Sequence, residues 1–213
     1  MMRSFLAASD ILERICAFFG RLGSWLIIPL ILIIVYDVVT RKIIFIQQFV
    51  MNSWLYDFLS PTKLQEMEWH LHAVIFLLAY GLAYLNGTHV RVDIWRERQS
   101  DRRRGWLELI ALLVLAIPYC GVLIYQSWFF VEKAFLQGEG SPAMTGLPNR
   151  WIIKSFVLIG AALLMASLLS TLMRLAVYLF GSSALRQEAL RRLDMVGLPP
   201  AAADETKPGE VSP

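Results

Sequence analysis

The chain is poor in the residues from which reaction centres are built. Its 213 residues include two cysteines and three histidines. Cys16 precedes the first long apolar segment and Cys120 lies inside the third, so no disulfide between them is expected, and they fit no metal-ligand spacing. No nucleophile–base pairing, phosphate-binding glycine loop or metal cluster is present, and enzyme chemistry has no support. No repeat relates the two halves, which counts against an inverted-repeat transporter core. No cleavable leader is expected either, because Asp10, Glu13 and Arg14 interrupt the early apolar residues and no small-residue cleavage site follows.

What the chain does have is apolar length. It is 57% hydrophobic, with a mean hydropathy of +0.54, too apolar for an ordinary soluble domain. Crossing lipid takes about 20 mostly apolar residues per helix. Four segments qualify, near 25–46, 69–85, 106–130 and 151–173. The expected fold is an all-α membrane protein of four transmembrane helices, preceded by an N-terminal amphipathic interfacial helix over 1–21. In that helix Leu12, Ile15, Cys16 and Phe19 recur at helical spacing opposite Asp10, Glu13 and Arg14. The transmembrane domain is expected over 22–180, and a cytoplasmic short helix and disordered tail over 181–213, the tail marked by Pro199, Pro200, Pro208 and Pro213.

Charge orients the chain. Fourteen of the twenty Lys and Arg residues fall before the first span, between the second and third, or after the fourth; six fall in the other two connections. Basic flanks favour the cytoplasm, so both termini and the middle loop are expected there. The run Arg96, Arg98, Arg102, Arg103 and Arg104 is thus a topology signal, and no nucleic-acid partner is expected. On the other side, Gln47 to Gln65 carries Trp54, Tyr56 and Phe58, which suit the headgroup zone, so a short interfacial helix is expected there. Gly138-Glu139-Gly140-Ser141-Pro142 and Gly146-Leu147-Pro148-Asn149 stop the third helix and form an outer loop.

His70 and His72 point about 200° apart on a helix. His89 lies about 28 Å from His70 along the helix axis. A haem or metal site from this chain alone is disfavoured. A haem- or redox-bearing membrane subunit stays open as an alternative where a partner chain donates ligands, as does a standalone small transporter. Glu66 with His70, and Glu68 with His72, are spaced to hydrogen-bond along one helix. Asp37 and Arg41 are spaced for a local ion pair. Pro118 is expected to kink the third span. Ala162, Ala166 and Ser170 form a small-residue stripe suited to close helix approach.

Four spans, the Glu66-Met67-Glu68-Trp69-His70 entrance and the string His89-Val90-Arg91-Val92-Asp93 resemble the small membrane (Q-type) subunit of TRAP (tripartite ATP-independent periplasmic) transporters. Gly146-Leu147-Pro148 shortly before Lys154 is similar to that family's last outer loop. The resemblance covers roughly Ile11 to Phe180. It implies a non-catalytic subunit without cofactor or metal, which packs on the scaffold of a large membrane subunit. That large subunit carries the substrate and ion sites, and a periplasmic solute-binding receptor delivers a small organic solute. Glu68, Trp69, His70, His89, Arg91 and Asp93 are then expected to anchor the chain to the large subunit. Glu139, Gly146, Leu147, Pro148 and Arg150 are expected to dock the receptor.

Overall fold

The structure is a computed structural model and describes residues 2–54, 56–88, 99–143 and 145–193. Helices α1 (Met2–Trp25) and α2 (Ile27–Lys42) form one nearly continuous rod. The break at Leu26 has a local cause. Pro29 has no N–H to donate to Trp25, and the Leu26 amide turns back to Gly23 O at 3.1 Å. After α3 (Ile44–Met51) and the single turn α4 (Tyr56–Leu59), α5 runs Pro61–Leu85. Pro61 suits a first helical position, where a missing N–H costs nothing. Helix α6 (Asp101–Ala111) passes through a π-helical stretch, Leu112–Ala116, into α7 (Ile117–Leu136). Helices α8 (Trp151–Phe180) and α9 (Ser183–Leu193) complete the chain, and there is no strand among the described residues.

Four helical stretches, Met2–Lys42, Pro61–Leu85, Asp101–Leu136 and Trp151–Phe180, are long and apolar enough to cross a membrane. The first holds 41 residues, about 60 Å at 1.5 Å per residue and about twice the hydrocarbon thickness of a bilayer. The N-terminal amphipathic segment is therefore helical as expected, but it packs along the bundle. Ser170 Oγ donates to Ser9 O at 3.1 Å and Cys16 Sγ to Leu163 O at 3.4 Å, which sets α1 antiparallel to α8. Helix α5 lies parallel to α8 and antiparallel to α1, with Gly20 against Leu82 and Gly23 against Leu78. A Cβ at Gly81 would sit 2.6 Å from Leu163 O and 3.0 Å from Cys16 Sγ, so three helices meet where only glycine fits. Helix α7 joins from the far side of α8, where Cys120 Sγ donates to Ala161 O at 3.3 Å.

A π-helical stretch precedes Pro118 in the third span, and its Ile117 amide donates five residues back to Leu112 O. The small-residue stripe holds in part: Ser170 is buried against α1 and Ala166 packs against the core, but Ala162 is exposed, and Gly160, Leu163, Ser167 and Arg174 complete the packed face of α8. Helix α8 also continues past Met173 to Phe180. The glycine stop at Gly138 acts as expected, and Gly87 ends α5 in the same way. Gly87 (φ 64°) and Gly138 (φ 56°) are left-handed, and the next amides, Thr88 and Glu139, close onto Ala83 O and Ala134 O at 3.2 and 3.0 Å. The short C-terminal helix is present as α9, with Ala189 and Leu193 buried in the same core as Leu6 and Leu175. The tail from 194 onward lies outside the described residues.

Candidate functional site

At the end of the bundle where α5 and α8 begin, the loop 138–150 is held against α5 by one carboxylate. Glu66 sits on the second turn of α5 and is buried, at 8% exposure. Ser141 Oγ donates to Glu66 Oε1, and the Leu147 amide donates to Oε2 at 2.6 Å. Arg150 Nη2 lies 3.6 Å from Oε1. A buried carboxylate is tolerated only when its oxygens are satisfied by donors and a cation, and Glu66 has both.

The loop is shaped to deliver those donors. Ser141 N donates to Leu147 O at 3.2 Å and Arg150 N to Glu139 O at 2.9 Å, so the loop closes on itself. A Cβ at Gly146 would lie 2.2 Å from Ser141 Oγ and 2.8 Å from Glu66 Oε2. The glycine lets the carboxylate reach the loop backbone. Asn149 adopts φ 60° to turn the chain into α8. Glu139 is held by an ion pair with Lys154, whose Nζ also lies 4.0 Å from the centre of the Phe130 ring.

The sequence-selected residues of α5 flank this clamp. The Trp69 ring is stacked on His70 at 3.8 Å between centroids, and Arg150 lies 5.8 Å from the Trp69 ring centre. The two histidines bond differently from expectation. His70 Nδ1 contacts the main-chain oxygen of Glu66, and His72 Nδ1 that of Glu68 at 2.8 Å, in place of the carboxylates. A carbonyl only accepts, so Nδ1 is the donor in both. Thr62, Gln65, Glu68, Trp69 and His72 line a shallow groove of about 560 Å³ beside Glu66. The two groups expected to serve different partners, Glu68–His70 and Glu139–Arg150, thus lie together around Glu66. His89, Arg91 and Asp93 lie outside the described residues.

A second polar cluster lies toward the other end. Arg174 is 2% exposed on α8. Its Nε donates to Ser9 Oγ at 3.1 Å, and its Nη2 pairs with Asp10 at 3.2 Å and with Glu13. The polar side of α1 is therefore turned partly inward, onto a charge that α8 carries within the bundle. The Asp37–Arg41 pair forms as expected, at 2.9 Å. No group of three or more His, Cys, Asp and Glu side chains suited to a metal ion occurs among the described residues. These arrangements hold helices and a loop in place.

No curated protein and no solved structure matches the chain. The family model of the DctQ component of tripartite ATP-independent periplasmic transporters matches residues 30–178, more than half of the chain. That span holds the last three apolar helical stretches almost entire, together with α2, the Glu66 clamp and Arg174. With four apolar helices in place and most of them inside the match, the chain belongs to the DctQ family and is the small membrane component of a tripartite ATP-independent periplasmic transporter.

Proposed function

We propose that this small permease subunit is a non-catalytic scaffold of the bacterial inner membrane. It anchors the large membrane subunit and presents the Glu66 clamp to the periplasmic solute receptor during ion-coupled uptake of a small organic solute. With both termini in the cytoplasm, as the basic residues favour, the clamp faces the periplasm, where a soluble receptor can reach it. The observation that carries this reading is the mounting of loop 138–150 on α5 through one buried carboxylate. A loop fixed in this way is pre-organised, so a partner that binds it does not have to order it first. Glu68, Trp69 and His72 rim the groove beside it and supply an acid, an indole and an imidazole to the same surface.

The test is a pair of variants at the rim, Glu68→Lys and Trp69→Ala, carried in the assembled transporter. Receptor-dependent uptake is expected to fall while both membrane subunits still co-purify in normal yield. Normal uptake in both variants rejects the docking role. Loss of the large subunit from the purified complex moves these residues from docking to anchoring.

A further inference from the structure

Two cavities adjoin beside α2 at the end where α5 begins. The first is an apolar groove of about 620 Å³ walled by residues including Leu32, Val35, Tyr36, Val39 and Leu64. The second is a smaller chamber of about 140 Å³ walled by residues including Arg41, Gln47, Tyr56 and Pro61. Thr40 and Leu59 line both, which sets the two side by side. Along one face the lining therefore passes from aliphatic side chains to a guanidinium, an amide and a phenol within about three helical turns.

We infer that the composite cavity binds one phospholipid, with an acyl chain in the groove and the phosphate in the chamber beside Arg41. The apolar end calls for hydrocarbon, because aliphatic walls gain free energy in proportion to the surface they remove from water. The polar end calls for an anion. Arg41 Nε bonds the Asp37 carboxylate at 2.9 and 3.0 Å, and Nη2 reaches Pro61 O at 3.4 Å. A guanidinium has five N–H donors, so these bonds fix its plane and leave donors over, and its side chain stays 40% exposed. Lys42 and Lys63 stand nearby in sequence, so the basic residues of this segment outnumber Asp37 and Asp57.

Size decides between a lipid and a helix of another chain. At about 30 Å³ per water, the chamber has room for about five water-sized groups, which suits a phosphate and excludes a helix about 10 Å across.

The full-length chain, purified in detergent and exhaustively washed, is examined by native mass spectrometry. The wild type is expected to retain one phospholipid mass per chain. Val35→Trp fills the groove, and the double change Gln47→Ala with Tyr56→Phe strips the chamber. Each is expected to lower retention roughly tenfold, with circular dichroism and a single gel-filtration peak confirming that the proteins fold. Gln47→Arg, which adds a donor, is expected to raise retention of phosphatidylglycerol. Added back to delipidated protein, phosphatidylglycerol is expected to restore the mass, while diacylglycerol with the same chains is not. Equal retention by wild type, Val35→Trp and the double variant overturns the proposal. So does equal binding of diacylglycerol, or full displacement by inorganic phosphate. A cross-link from Val35→Cys to another membrane chain in lipid-free complex assigns the groove to protein and overturns it as well.

Discussion

The carboxylate of Glu66 accepts the main-chain amide of Leu147 at 2.6 Å across 81 positions of sequence. That bond ties the loop between α7 and α8 to a helix it does not adjoin in the chain. Charge-assisted hydrogen bonds contribute about 1.5–3 kcal/mol. Glu66→Ala is thus expected to speed hydrogen exchange across 141–150 by at least roughly tenfold, since about 1.4 kcal/mol is a factor of ten. Glu66→Gln, which keeps an acceptor, is expected to fall between. Exchange mass spectrometry on the detergent-purified protein reads this, and unchanged protection in the alanine variant rules out the clamp.

Arg174 is the test of the second polar cluster. Arg174 is 2% exposed, while the Asp10 and Glu13 side chains are 32% and 30% exposed, so solvent offsets part of the loss and a cost of about 1.5–3 kcal/mol is expected. Arg174→Met removes the buried cation from the cluster and is expected to lower thermal stability in detergent clearly. Asp10→Asn and Glu13→Gln added to Arg174→Met are expected to recover most of the loss. If the single Arg174 variant melts like the wild type, the cluster contributes nothing to stability.

Gly81 and Gly121 form an internal control. A Cβ at Gly81 meets Leu163 O at 2.6 Å, whereas at Gly121 it meets nothing within 4 Å. Gly81→Ala is expected to destabilise by about 1–3 kcal/mol through overpacking at the crossing. Gly121→Ala is expected to be neutral or slightly stabilising, since alanine is the better helix former by about 1 kcal/mol. Thermal melts of the two variants should separate them; equal shifts would contradict the three-helix contact.

Much of the fold is legible in the sequence for a simple reason: apolar runs of helix length need no partner to be recognised. Glycine stops after α5 and α7 are legible too, because a left-handed residue there follows from local chemistry. Less legible is whatever depends on which helix lies beside which. Counting apolar residues ends the fourth span at Met173, because an arginine follows. Only the antiparallel placement of α1 shows that Ser9, Asp10 and Glu13 make Arg174 an interior residue. The apolar turn Leu175–Phe180 after Arg174 was the available sign. Likewise Glu66 carries a local relation to His70 in the sequence, but its partners Ser141 and Leu147 come from a loop that nothing in the spacing brings near. The small-residue stripe holds at Ser170 and Ala166 but not at Ala162, which is exposed beside the buried Leu163, since a stripe of small residues does not say how far along the helix a neighbour reaches.

Orientation is open to direct measurement. With Cys16 and Cys120 changed to serine, Gly140→Cys is expected to react with a membrane-impermeant maleimide in cells whose outer membrane alone is opened. Arg103→Cys is expected to react only after the inner membrane is breached. The opposite pattern inverts the topology and removes the clamp from the receptor's side.

The central claim is that this chain presents a fixed surface to the receptor and takes no part in moving substrate. Uptake by reconstituted membrane complex, titrated with receptor, tests it most directly, comparing wild type with Glu66→Ala. The half-saturating receptor concentration is expected to rise roughly tenfold, as for the loss of about 1.4 kcal/mol, with maximal uptake at saturating receptor unchanged. A collapse of maximal uptake with unaltered receptor dependence would contradict the account and place this subunit in the transport step itself.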